Sequence, residues 1–361
     1  MRETRRSPGA TAVLALCVGA LGCGSSSPSA VTSGPIDAPA GIWTWVAFPD
    51  AVCADGSATG IGVNLGAAGS RPLIYLEGGG ACWSEQTCYT LMTATNFATG
   101  YGPQNFAADI ADVTEIAAPG GFFDRTAADN PFKDWSYVYV PYCTGDVHAG
   151  DAVVQYGSHT AHHVGYTNLA AYLARLVPTF AGADRIVLAG SSAGGYGALL
   201  NWGQTQAAFG SARVDMIDDS GTLMPPDIVA LGNGDEAAEK ASWNLAGAAL
   251  PAGCTTCADD LSAVYGYYAQ TFADHRAALL SYTQDSVIPI FYGITTAQFT
   301  TGLDEAIASQ IAPAANFKSF QDDAAGHVLW FAPTLASSGV TVKQFVTQMV
   351  TDDATWANVA P

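Results

Sequence analysis

Five near-continuous apolar runs punctuate the chain: Pro72–Leu76 (PLIYL), Trp135–Val140 (WSYVYV), Arg185–Ala189 (RIVLA), Arg213–Ile217 (RVDMI) and Ala278–Tyr282 (ALLSY). Each is too short for a stable helix and rich in branched or aromatic side chains, so each predicts a strand buried on both faces. Helical spacing recurs between them, in Asn168–Leu176 (NLAAYLARL) and Gly197–Asn201 (GALLN). The aromatic stretch Ser262–Phe272 (SAVYGYYAQTF) also has helical spacing and reads as core. Buried strands alternating with helices predict an α/β domain in three layers, a mostly parallel sheet with helices on both faces. Ligands in such sheets sit beyond the carboxyl ends of the strands. No repeat, long linker or break in composition divides residues 40–361, so one domain is expected there.

The first 39 residues follow another pattern. Arg2, Arg5 and Arg6 precede the apolar run Ala12–Leu21, which falls short of the about 20 residues needed to span a bilayer. Ala20-Leu21-Gly22 then leads into Cys23 and the polar stretch GSSSPSAVTSGP. This resembles a lipoprotein signal, although Ala20 stands where leucine is usual. The expectation is a signal peptide over 1–22, acylation at Cys23 and a flexible tether over 23–39. The protein would then be exported, held at an outer membrane or cell surface by the lipid or else secreted, and would meet a membrane only through Cys23.

Cysteine content agrees with export. Outside the leader there are six: Cys53, Cys82, Cys88, Cys143, Cys254 and Cys257. An even number in an exported chain predicts disulfides, though six cysteines allow 15 pairings. Cys254-Thr-Thr-Cys257 has no second pair at metal spacing, which favours a bridge over a zinc site. The formal charge is −19; removing Arg2, Arg5, Arg6 and Glu3, net +2, makes it −21. So acidic a chain is not expected to bind nucleic acid, and bare polygalacturonate suits it less than a neutral or esterified glycan.

The chemistry concentrates at Val187–Trp202 (VLAGSSAGGYGALLNW), where a strand passes through small residues into a helix. Gly190-Ser191-Ser192-Ala193-Gly194 fits G-x-S-x-G centred on Ser192; centring on Ser191 puts alanine at both glycine positions. A serine in such an elbow is a nucleophile, and it needs a histidine base oriented by an acid. Only His275 and His327 follow the elbow. His275 precedes an apolar run and belongs at the wrong end of that strand, whereas His327 follows the small-residue stretch DDAAG, read as a loop. For the acid, Asp285 stands at the carboxyl end of one run, and Asp218 and Asp219 at the end of another. Spacing leaves these alternatives open. Gly78-Gly79-Gly80, after the first run, offers open backbone N–H groups of the kind that stabilise an oxyanion.

LEGGGACW, PYCTGDVHAG, LAGSSAGGYGALLNW and the DSG at Asp219–Gly221, with weaker agreement in HHVGYTNL, QDSVIPIFYG and GHVLW, resemble the pectin acetylesterase and Notum family. The matches cover most of residues 40–335. The resemblance implies an α/β-hydrolase-like fold, a Ser192–Asp285–His327 triad, oxyanion donors from the backbone of Gly79, Gly80 and Ala193, and disulfides Cys53–Cys143, Cys82–Cys88 and Cys254–Cys257. It implies a carboxylic ester hydrolase that removes O-acetyl groups from a glycan without a cofactor. A longer-chain deacylase or a non-catalytic glycan-binding lipoprotein are the other readings. One departure is plain: the Notum branch has a tryptophan directly after two glycines, where this chain has Gly80. His159, His162 and His163 could share a helical face and hold a metal, but no further ligand lies nearby, so no metal is expected.

Overall fold

All five predicted strands form, and three run further toward their carboxyl ends than the apolar pattern indicated. The computed structural model describes residues 34–67 and 69–361. Its strands are β1 (Thr44–Val52), β2 (Ala58–Asn64), β3 (Pro72–Leu76), β4 (Ser136–Val140), β5 (Ala152–Tyr156), β6 (His159–His163), β7 (Arg185–Ser191), β8 (Arg213–Asp219), β9 (Ala277–Asp285) and β10 (Phe317–Gly326). Eight build one sheet in the order β1-β2-β4-β3-β7-β8-β9-β10, while β5 and β6 form a separate hairpin. From β4 to β10 every neighbouring pair is parallel; β2 runs antiparallel to both β1 and β4.

Alternation along the strands separates two cores. Ile74, Leu76, Ile186, Leu188, Val214, Met216 and Leu279 face one side, against Leu169, Tyr172 and Leu176 of α1 (Gly165–Thr179), Ala198 and Leu199 of α2 (Ala193–Leu200), and Val264 and Tyr265. Leu73, Tyr75, Val187, Ala189, Ile217, Ala278 and Leu280 face the other, against Phe122, Phe132, Trp330 and the helix Val342–Val350. This is the expected three-layer arrangement, and the aromatic run Ser262–Phe272 takes its place in the first core through Tyr265 and Tyr268. Burying one such side chain contributes about 1.5–3 kcal/mol.

The strands that periodicity missed are the two edge strands β1 and β10, the strand β2 that pairs with β1, and the separate hairpin. β1 is half exposed and contains Pro49 and Asp50, β2 is interrupted by Gly60 and Gly62, and β10 ends in the polar run Gln321–Asp323. DDAAG is therefore the end of β10, whose register shifts between Asp322 and Ala325, and not a loop. The leader, Cys23 and residues 23–33 of the expected tether lie outside the described residues. The remainder of that tether is packed: Ile36 is buried in the first core, and its N–H donates to Thr179 Oγ1 at 2.7 Å. The three disulfides are Cys53–Cys143, Cys82–Cys88 and Cys254–Cys257. Among the described residues no helix is long and apolar enough to cross a membrane.

Candidate active site

Sheet register brings the distant residues together. Gly326, the last residue of β10, pairs with Asp285, the last residue of β9, so His327 emerges directly beside that carboxylate. His327 Nδ1 lies 2.8 Å from Asp285 Oδ2. A carboxylate can only accept, so Nδ1 carries the proton and Nε2 presents its lone pair. Asp285 is fully buried, and its Oδ1 accepts from the N–H groups of Val287 and Ile288, each at 2.8 Å. Those bonds hold the carboxylate in one orientation toward the imidazole.

Ser192 occupies the turn between β7 and α2 with φ 55° and ψ −121°, a conformation that a serine adopts only under constraint. Its N–H donates to the Asp219 carbonyl at 2.7 Å, and its carbonyl receives the N–H of Gly195 at 2.8 Å. The flanking glycines are required by space: a Cβ on Gly190 would meet the Gly194 carbonyl, and one on Gly194 the Leu76 carbonyl. The adjacent serine has a different job. Ser191 Oγ donates to Asp219 Oδ2 at 2.8 Å and is buried, whereas the Ser192 side chain has no hydrogen-bond partner among the described residues and borders two cavities.

The carboxylates left open by spacing are now distinct. Asp219 accepts from Leu329 N and Trp330 N, both at 2.9 Å, and so holds the segment following His327. Asp218 accepts from Gly221 N at 2.8 Å and from Tyr265 Oη at 3.0 Å, and burial pushes its carboxyl up to about 7. Neither is hydrogen-bonded to the imidazole, which pairs with Asp285. His275 lies at the amino end of β9, with Nδ1 3.0 Å from the Val214 carbonyl. His159, His162 and His163 stand on strand β6, not on a helix. His163 is buried between the Thr144 carbonyl and Tyr156 Oη, while His159 stacks on Tyr89. Among the described residues no group of three or more His, Cys, Asp or Glu is placed to hold a metal.

Ser192 and Gly80 are shared by two cavities of contrasting character. The smaller, about 60 Å³, is walled by Val147, Leu223, Trp243, Leu245, Leu261 and Ile288, and Ala193 also lines it. The larger, about 540 Å³, holds His327, Gly79, Thr95, Glu77, Glu115 and Phe331. No hydrogen bond joins Ser192 to His327; Nε2 is buried without a partner, and both side chains line the larger cavity. The N–H groups of Gly79, Gly80 and Ala193 make no hydrogen bond among the described residues. Ala193 opens α2, so its N–H is one of the donors a helix leaves free. Gly79 and Gly80 have φ of 145° and 77°, and a Cβ on Gly80 would strike the Thr93 carbonyl, which leaves no room there for the tryptophan of the Notum branch.

Three features escaped the sequence reading. Within PYCTGDVHAG, Val147 and His148 both have positive φ, fixed by Asp146, whose carboxylate accepts from His148 N at 3.1 Å and Gly165 N at 2.7 Å. That contortion aims Val147 at the small cavity. Glu239 is the carboxyl side chain lining that cavity; burial, with Glu236 and Asp235 nearby, pushes it up to about 8. Glu77 accepts from Tyr142 N at 2.8 Å, and burial followed by the Asp109 charge raises it likewise to about 8.

A structural relative, a Wnt deacylase Notum from Drosophila, matches 88% of this chain and 96% of its own with a TM-score of 0.64 at 18% identity, a likeness of fold. Palmitoleoyl-protein carboxylesterase notum2 of Xenopus laevis is 31% identical over 159 residues, 41% of this chain, and human palmitoleoyl-protein carboxylesterase NOTUM is 28% identical over 157. Those matches span only 29% and 28% of the relatives' own lengths. The Pectinacetylesterase family model matches residues 43–289, from the first strand to just past Asp285, and by that match the chain belongs to the pectinacetylesterase family.

Proposed function

We propose that the protein is a serine carboxylic ester hydrolase that removes short acyl groups, acetyl among them, from a glycan. The observation that carries the reading is the Asp285–His327 pair opening on the cavity that also holds Ser192 at its strained turn. Ser192 Oγ attacks the ester carbonyl while His327 Nε2 takes its proton. The carbonyl oxygen becomes an oxyanion held by the free N–H groups of Gly79, Gly80 and Ala193. Collapse breaks the bond to the alcohol, which leaves with the proton from His327. Water, activated by the same nitrogen, then attacks the acyl-enzyme and releases the carboxylic acid and free Ser192. Asp285 keeps the imidazole in the tautomer this cycle needs and stabilises its charged form.

The two cavities divide the substrate. The small apolar one suits the acyl group, and its volume of about 60 Å³ suits a short one. The larger, polar one suits the alcohol. Export belongs to the same proposal and is supported by the three disulfides; acylation of Cys23 is proposed from the sequence pattern alone. The test is hydrolysis of p-nitrophenyl esters from two to sixteen carbons, together with acetate release from acetylated glycans. Rates highest at two to four carbons support the reading; a maximum above eight overturns it.

A further inference from the structure

Four arginines of the fold are gathered at the end of the sheet opposite the candidate site. Arg185 and Arg213 are the first residues of β7 and β8, and Arg71 and Arg276 immediately precede β3 and β9. They are tied down there: Arg71 on Asp184, Arg185 and Arg213 on Asp215 and Asp352, and Arg276 on Asp352. At the carboxyl ends of the strands the picture reverses. The larger cavity beside Ser192 contains Glu77 and Glu115, and no lysine or arginine lines it among the described residues. Behind it lies Asp109, which accepts from Tyr101 Oη at 2.5 Å and Tyr139 Oη at 3.5 Å. Glu77 has no cationic partner there and holds its proton up to about pH 8, chiefly because it is buried but also because Asp109 and Glu115 face it. Glu115 is raised in the same way, first by burial and then by Asp112 and Asp109.

These carboxyl groups belong to the part of the site left for the alcohol half of the ester. A uronate entering there would add a negative charge to a cluster that has no cation. An ammonium group would supply the missing countercharge and let Glu77 ionise. Resting on the esterase reading above, we propose that the alcohol carries no negative charge and that the cleft favours an amino-sugar glycan, whose ammonium is the group that Glu77 and Glu115 are placed to meet. A neutral glycan would rank second and a polyuronate last.

The experiment compares acetate release from O-acetylated chitosan, O-acetylated xylan and O-acetylated polygalacturonate at equal acetyl concentration, with low and high salt. Expected are rates falling in that order, with about 10-fold or more between the ends, shrinking at high salt as exposed charges are screened. The ratio of chitosan to polygalacturonate rates is then read within each variant, which makes it independent of how much protein folds. Glu115→Gln should narrow the ratio and Glu115→Lys should narrow it further. Wild-type preference for polygalacturonate, or ratios unmoved in both variants, overturns the proposal. Turnover of p-nitrophenyl acetate by the same wild-type preparation reads the esterase assignment separately. If that ester is cleaved while polygalacturonate is preferred, the assignment stands and this proposal fails.

Discussion

Replacing Leu245 by alanine should lengthen the acyl group the protein accepts. Leu245 is buried in the wall of the small cavity, together with Val147, Trp243 and Leu261. The wild-type space, about 60 Å³, holds an acyl tail of roughly two to four carbons. Within that limit each methylene gains about 0.8 kcal/mol on burial, close to fourfold in kcat/KM if the gain is realised in the transition state. Butyrate should thus be cleaved up to about 15-fold faster than acetate. Beyond it the chain must displace the wall, at about 1–3 kcal/mol, so octanoate should fall at least 10-fold below butyrate. Leu245→Ala removes three carbons from the wall and should move the maximum to about six or seven carbons. It should also destabilise the fold by about 2–5 kcal/mol. The assay is kcat/KM across straight-chain p-nitrophenyl esters, with thermal unfolding to show that the variant is folded. A folded variant with an unchanged profile would refute the assignment of this cavity to the acyl group.

Other substitutions address the remaining parts. Asp285→Asn should leave KM nearly unchanged and lower kcat by about 10⁴, because the amide favours the wrong imidazole tautomer; a loss under tenfold contradicts the pairing seen at 2.8 Å. Gly80→Ala forces a side chain at φ 77° against the Thr93 carbonyl and should displace an oxyanion donor, lowering kcat about 10²–10³; near wild-type kcat would show that this N–H is not used. For pH, burial raises Glu77 and Glu239 to about 8 and Asp218 to about 7, so the folded protein holds more protons than the unfolded chain between about 4 and 8. Stability from these groups is full below about pH 4, falls as pH rises through that window and levels off above 8. Urea midpoints against pH should show this slope, and Glu239→Gln should flatten it; a slope of opposite sign rules the burial argument out.

How much of this was legible beforehand depended on whether local pattern or long-range pairing decided the outcome. The central parallel strands were readable because burial on both faces leaves an uninterrupted apolar run. Their ends were not: Asp218, Asp219 and Asp285 are polar residues that continue strands beyond the apolar run. The edges β1 and β10 are set by pairing with neighbours, which no local window contains. The tight turn at Ser192 was legible because an elbow imposes small residues at fixed offsets, and both flanking glycines do lack space for a Cβ. The choice among Asp218, Asp219 and Asp285 was not, since all three end adjacent strands. Only the pairing of Gly326 with Asp285 separates them, by setting His327 beside one carboxylate. The DSG block signalled something other than an acid for the imidazole: Asp219 ties Ser191 to the segment following His327. Glu239 left no signal, because its helix reads as an ordinary charged surface and its burial comes from segments far away in sequence.

The central assignment is read most directly by a fluorophosphonate probe followed by mass spectrometry of the labelled peptide. The adduct is expected on Ser192 in the wild-type protein. Ser192→Ala, folded by its thermal transition, should take up no label and release no acetate. A wild-type protein that stays unlabelled, or a Ser192→Ala variant labelled as strongly as wild type, would contradict the placement of the nucleophile.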